Sequence, residues 1–252
     1  MPGYYVHFAS ANPKTSTNKS FLCGIEAPDL LKKYFSLYGL EGAKEKYNAI
    51  KTNEMPEFSK FEVRLQQKEL AENNTGLHYG VSSQPDIYSF WNSLTEEEKK
   101  NPFYIGYLWH LLTDMLTYAY LEIGKRFDET VTKEIIKQNL SKENWMELRK
   151  KETSKLHADW DKTNAKIKST YPDVIIPEEI EELKIVKFIN DDSITYVDWY
   201  IIKSIIDFMR SFHPLEENID KVIEEVIQFL PDPNIKNKQE DLKKKILLRE
   251  KR

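Results

Sequence analysis

A single cysteine, Cys23, excludes an intrachain disulfide and leaves nothing that points to an oxidising compartment. It follows the apolar pair Phe21-Leu22 with no basic residue adjacent, so nothing activates it as a nucleophile. Glycine is scarce, at eight in 252 residues. None falls in a Gly-x-Gly-x-x-Gly, Gly-x-x-x-x-Gly-Lys-Ser/Thr or Gly-x-Ser-x-Gly pattern, which excludes the common phosphate cradles and the nucleophile elbow. Neither His-Glu-x-x-His nor a His-Asp dipeptide occurs. That removes the zincin proteases and the helical phosphohydrolases built around the dipeptide. An excess of one charge is missing too. Thirty-seven basic against 41 acidic residues give a net charge of −4, with no general attraction for nucleic acid or anionic lipid. The start, Met1-Pro2-Gly3-Tyr4-Tyr5, lacks the basic stretch and apolar run of a secretory signal, so a cytoplasmic location is expected.

What is present is a composition of 40% hydrophobic and 31% charged residues, that of a helix-rich globular chain able to bury a substantial core. The periodicity predicts an all-α, single-domain multi-helix bundle. Residues 1–235 form the helical body and 236–252 a charged helical tail. Tyr4–Phe8 reads as a short extended piece, and a helix is expected from Ala27-Pro28-Asp29 to Tyr38 with Leu30, Leu31, Tyr34 and Phe35 on one side. Phe61, Val63 and Leu65 alternate with polar residues, as a strand or a short helix would. Asn73–Pro85 has loop composition, and Thr95 with Glu98 makes a capping pair. Ser141 opens a long charged helix that ends before Pro172. Apolar spacing then predicts helices over Asp198–Phe212 and from Ile219 to Ile227. In the tail, Leu242, Ile246 and Leu247 form a small apolar stripe, while Lys243, Lys244, Lys245, Arg249 and Arg252 read as a solvated face.

The central element is the most informative. Asn101-Pro102 is a good helix start, and from Phe103 to Leu121 the only formal charge is Asp114. With His110, Asp114, two threonines and four tyrosines, this stretch suits a buried helix of about 102–122 and not a membrane span. His110 and Asp114 are four apart and share one helix face. A buried carboxylate needs a partner or a cation, and a divalent metal would satisfy both side chains at once. His157 and Asp161 repeat the spacing, with Asn164 one turn further. His7 lies in an aromatic run, His78 in the loop Gly76-Leu77-His78-Tyr79-Gly80, and His213 before Pro214 as a helix-end residue. Imidazole and carboxylate on helices are suitable donors for zinc or a similar ion.

In order, His7, Asp29 in Ala-Pro-Asp, His78 in Leu-His-Tyr, His110-x-x-x-Asp114 and His157-x-x-x-Asp161 resemble the pattern of the zinc-dependent phospholipase C family and the related zinc-dependent single-strand nucleases. The resemblance covers about residues 1–165 and implies their mainly helical fold, in an intracellular branch. It implies that Asp29, His78, His110 and Asp114 hold the central metals, with His7 completing a second centre and His157 and Asp161 belonging to a third. Two family features are absent: an N-terminal tryptophan, and a histidine between the two pairs. Two metals, or a third site rearranged onto Glu122 or Asp128, fit these residues better. Zinc is the first expectation, and iron or manganese also suit the oxygen-rich set.

The chemistry implied is hydrolysis of a phosphodiester or phosphomonoester by a metal-bridging hydroxide, oriented by Asp29 or Asp114. The expected substrate is a small-molecule or lipid phosphoester. No stable nucleic-acid complex and no transmembrane segment are expected. Asp86, in Gln84-Pro85-Asp86, reads as a helix-opening aspartate or as an orienter of a ligand, and Tyr79, Phe90 and Trp91 as core or as substrate-facing aromatics. The competing class is a non-catalytic helical protein, with a structural metal or polar cluster, that acts through protein–protein contacts or its charged tail.

Overall fold

The computed structural model describes residues 4–50, 76–81, 84–182, 186–232, 234–235 and 237–249. Among these, ten helices follow one another: α1 Tyr4–Ser10, α2 Lys19–Ile50, α3 Ile87–Asn92, α4 Pro102–Leu121, α5 Ile123–Gln138, α6 Lys142–Thr170, α7 Glu178–Glu182, α8 Trp199–Arg210, α9 Ile219–Gln228 and α10 Lys238–Arg249. Single 3-10 turns lie at Thr15–Thr17, Gly76–His78 and Glu98–Lys100. The only ladder among the described residues joins β1 (Gly80–Val81) to β2 (Gln84–Pro85), antiparallel, with Gly80 opposite Pro85. The chain is thus an all-α, multi-helix single domain. No helix of the described residues is long and apolar enough to cross a membrane.

Helix α4 is the axis of the core. The Asn101 side chain accepts a hydrogen bond from the Phe103 amide at 2.9 Å, and Pro102 takes the first helical position, where a missing N–H costs nothing. Every residue from Phe103 to Asp114 is buried. Full burial of each leucine, such as Leu111 or Leu112, contributes roughly 1.5–3 kcal/mol.

Helix α2 packs most extensively on α4, and two glycines explain how closely. A Cβ on Gly24 would lie 2.0 Å from the Phe103 carbonyl oxygen, and one on Gly106 would lie 2.1 Å from the Phe21 carbonyl oxygen. The two backbones therefore touch where they cross. Pro28 lies inside α2 and does not start it; the helix begins nine residues earlier, at Lys19, and its path breaks at Gly39, whose φ is 69°. Asn18 opens it, its side chain accepting from the Phe21 amide at 3.0 Å.

The expectation of an extended piece at Tyr4–Phe8 is corrected, since these residues lie in helix α1. Tyr5, Val6, Phe8 and Ala9 are all buried, so packing on every side overrides the strand preference of aromatic and β-branched residues. Arg210 on α8 holds the C-terminal end of α1, donating to the carbonyl oxygens of Ala9 and Ala11 at 3.2 Å each. The other expected helices form close to their predicted limits, and Thr95 and Glu98 make the reciprocal capping bonds at 2.9 and 3.2 Å. The tail helix α10 is not a free appendage. Leu242 is buried, and Arg249 lies over the Phe208 and Phe212 rings at 4.6 and 4.4 Å. The Phe61, Val63 and Leu65 pattern and the Leu30–Phe35 side chains lie outside what is described.

Candidate metal centre

Five side chains from four chain segments converge beside the α2–α4 crossing. His110 and Asp114 come from α4, Asp29 from α2, His7 from α1, and His78 from the turn before β1. All five are buried, each at 3% exposure or less. The His78 turn is clamped from α4, because the Tyr107 hydroxyl donates to the Leu77 carbonyl. Tyr79, at φ 51°, then redirects the chain into the small ladder.

One hydrogen bond sets the chemistry of the cluster. His110 Nδ1 lies 2.7 Å from the Ile25 carbonyl oxygen. A carbonyl can only accept, so Nδ1 carries a proton, and in the neutral ring the lone pair sits on Nε2, facing inward. That Nε2 lies 3.2 Å from His78 Nε2. Asp114 spans the group, with Oδ1 3.3 Å from His7 Nε2 and Oδ2 3.6 Å from both His110 Nε2 and His78 Nε2. Asp29 Oδ1 is 3.5 Å from His78 Nε2. The His7 and His110 rings stack at 3.9 Å.

The histidine–aspartate separations, 3.3–3.6 Å, are long for direct hydrogen bonds and suit donors arranged around an intervening atom. Both ring nitrogens of His7, Asp29 Oδ1 and both Asp114 oxygens have no hydrogen-bond partner among the described residues. Leaving such atoms buried and unpaired is costly. The donors fall into two overlapping triads, His7–His110–Asp114 and Asp29–His78–His110, each with its ligand atoms within 4.8 Å of one another. The residues therefore fit a metal ion.

The imidazoles and carboxylates of the cluster also shift one another. Burial pushes the Asp29 carboxyl up, but its contact with His78 and the charges of His110 and His78 outweigh that and take it from 3.8 to about 2. Asp114 is likewise held below the usual carboxylate range, because His110 and His7 outweigh its burial. Burial lowers His7, while His110 is raised because Asp114 overcomes its burial.

The Asp29 shift has a consequence for metal-free protein. A carboxyl whose folded pKa is depressed stabilises the fold above its unfolded value and loses that contribution as pH falls through the folded one. For Asp29 the fall from 3.8 to about 2 corresponds to about 2 kcal/mol. Denaturant unfolding of metal-free protein is therefore expected to show stability falling between about pH 5 and pH 2, with Asp29 contributing about that amount, and falling by less in Asp29→Asn. Equal losses in both proteins would refute the assignment.

The structure does not bring His157 and Asp161 into this cluster. His157 is exposed on α6, and Asp161 is half-buried with its carboxyl pushed up by burial. Neither belongs to a group of three close ligands among the described residues. Packing fixes the rotation of α6: Asp159, Trp160, Thr163 and Ile167 face inward, which leaves His157 outside. Asn164 donates instead to the Lys187 carbonyl at 3.1 Å. Glu122 and Asp128 do not join the cluster either: Glu122 pairs with Lys238 at 3.1 Å and Asp128 with Arg149 at 3.2 Å. Elemental analysis of a His157→Ala, Asp161→Ala double variant is expected to give wild-type metal content, and loss of one equivalent would restore the third centre.

Asp86 is the helix-opening residue, accepting from the Ser89 amide at 2.9 Å and the Ser89 hydroxyl at 2.6 Å. Phe90 stacks on Tyr107 at 4.9 Å, and the buried Trp91 donates to Asp220 at 2.7 Å, so both belong to the core. Tyr79 packs its ring on Phe90 at 5.1 Å. Sequence reasoning missed the Ile25 carbonyl and the Gly24–Gly106 contact that delivers it. The available signal was a glycine within each of two apolar helices.

The class these observations define is an all-helical protein with a buried histidine–aspartate cluster able to hold a metal ion. In comparisons with known proteins, the chain matches no family model, no curated protein and no solved structure.

Proposed function

We propose that this protein is a metal-dependent phosphoesterase that holds two divalent cations, zinc first, on His7, Asp29, His78, His110 and Asp114. One observation carries the reading: two buried triads share His110 and leave imidazole and carboxylate atoms with no other partner among the described residues. A pair of cations so placed would supply a hydroxide at neutral pH and neutralise charge on a phosphate during in-line displacement. The residues do the rest. His110, fixed by the Ile25 carbonyl, presents its Nε2 without rotational freedom. Asp29 and Asp114 stay ionised at neutral pH, so their oxygens can accept hydrogen bonds from an attacking water and set its direction. Exclusion of bulk water strengthens each of these interactions. A small-molecule phosphoester suits the net acidic chain better than a membrane lipid or nucleic acid.

The test is elemental mass spectrometry on tag-free protein, followed by hydrolysis of bis(4-nitrophenyl) phosphate and 4-nitrophenyl phosphate. Two equivalents of metal are expected, with hydrolysis abolished by a chelator and restored by zinc. Protein that takes up no metal from zinc, manganese or iron would sink the reading. Metal without hydrolysis of any phosphoester would leave a structural centre in its place.

A further inference from the structure

A cluster this deeply buried needs a route for its substrate, and α4 shows where one lies. The helix is buried without interruption from Phe103 to Asp114. Beyond that, Leu116 and Thr117 are buried, whereas Met115, Tyr118 and Ala119 are partly exposed. These last three line a cleft of about 700 Å³, whose other walls include Pro85 of β2 and Lys238 of α10. Tyr118 lies one helical turn beyond Asp114 and two beyond His110, so it is on their side of the helix, and it lines the cleft as well. Its phenol is pushed up by burial and by the carboxylates of Asp114 and Asp29, which places it within their field. Gln84 and Pro85, from the ladder that follows His78, also line the cleft, so two of the four segments that build the cluster continue into it.

The rim carries a chemical signature. Lys125 and Lys238 both approach Glu122, at 3.9 and 3.1 Å, which leaves one positive charge in excess. Lys238 also donates to the Ala119 carbonyl at 2.8 Å, and that contact holds its ammonium at the mouth. Met115, Ile123 and Leu230 make the adjoining wall apolar. A positive rim beside an apolar wall fits an anion that carries an apolar or aromatic group.

We propose that the cleft bounded by Met115, Tyr118, Ala119, Pro85 and Lys238 is the entrance through which a small phosphoester anion bearing an apolar or aromatic group reaches the buried cluster. Lys125 and Lys238 attract the phosphate, and Tyr118 is the positioning residue at the inner end. The proposal rests on the cluster holding metal, and its test separates the two.

Full-length protein is loaded with cobalt(II), and its visible absorption is followed during titration with inorganic phosphate and with phenyl phosphate. Wild type is expected to show saturable spectral change with both, and tighter binding of phenyl phosphate. Ala119→Trp, which fills the cleft, is expected to bind both at least about tenfold more weakly with unchanged cobalt stoichiometry. Lys125→Glu, at an exposed position, should weaken both several-fold, whereas Lys150→Glu on the exposed face of α6 should not. Should Ala119→Trp fail to fold, the comparison of Lys125→Glu with Lys150→Glu decides. Wild-type affinity in a folded Ala119→Trp, equal effects of the two lysine reversals, or cobalt binding without any response to phosphate would overturn the entrance and leave the metal reading standing. Failure to bind cobalt would overturn both.

Discussion

Asp114→Ala is expected to lower metal affinity about 10²–10³-fold and to abolish measurable phosphoester hydrolysis. The reason is its position. Among the described residues Asp114 is the one carboxylate within 3.6 Å of three histidines, so its loss removes a proposed ligand and leaves those imidazoles facing each other with less anionic charge between them. Breaking a buried charged network by removing one member costs about 3–5 kcal/mol, and each 1.4 kcal/mol is tenfold in affinity. Competition against chelators of graded strength measures the loss directly. Asp114→Asn keeps the shape and one neutral oxygen, so it should bind metal more weakly than wild type and more tightly than alanine. Asp161→Ala, the second half of a motif with the same spacing, should change nothing. Full retention of metal in a folded Asp114→Ala would refute the centre as proposed.

The second large effect belongs to the helix crossing. Gly106→Ala places a Cβ 2.1 Å from the Phe21 carbonyl oxygen, and Gly24→Ala places one 2.0 Å from that of Phe103. The obstacle in each case is backbone, which cannot rotate aside as a side chain can. The helices must separate, and overpacking of this kind costs about 3 kcal/mol or more. In a chain of this size that lowers the melting temperature by about 6–12 °C. Separation also draws the Ile25 carbonyl away from His110 Nδ1, so metal affinity should fall although no ligand has changed. Gly124→Ala is the control. Nothing lies within 4 Å of its added Cβ, and alanine in a helix should stabilise by up to about 1 kcal/mol. Differential scanning calorimetry with elemental analysis compares the three variants. Equal melting of Gly106→Ala and Gly124→Ala would show that the crossing is looser than the structure has it.

Much of the fold was legible because single segments carry strong local signals. Asn101-Pro102 opens α4, Thr95 and Glu98 cap the turn before it, and the isoleucine spacing of α8 and α9 marks a buried stripe. Where a segment is short and its neighbours decide, the local signal misled. Tyr4–Phe8 has strand-forming residues but becomes helical inside a ring of other helices, and Pro28 looks like a helix start but sits within a helix that began at Lys19. Asp86 shows the reverse case, in which a local reading as a helix-opening residue was correct.

The cluster divides along the same line. The presence of His110 and Asp114 on one face of an apolar helix follows from a period of 3.6 residues and needs no other part of the chain. The same arithmetic applies to His157 and Asp161, and there it has no power to tell inside from outside. Which pair turns inward depends on the rotation of α6 against its neighbours, set by the burial of Trp160, Thr163 and Ile167. His7, Asp29 and His78 are far from His110 along the chain, and only packing brings them within reach: a glycine contact for α2, an arginine across the end of α1, and a tyrosine clamp on the His78 turn. The sequence by itself determined most of the helices and the residue types able to bind a metal, because these depend on neighbours within a turn or two. The tertiary structure alone decided which of those residues meet, because that depends on crossing distances and helix rotations set by side chains remote in sequence.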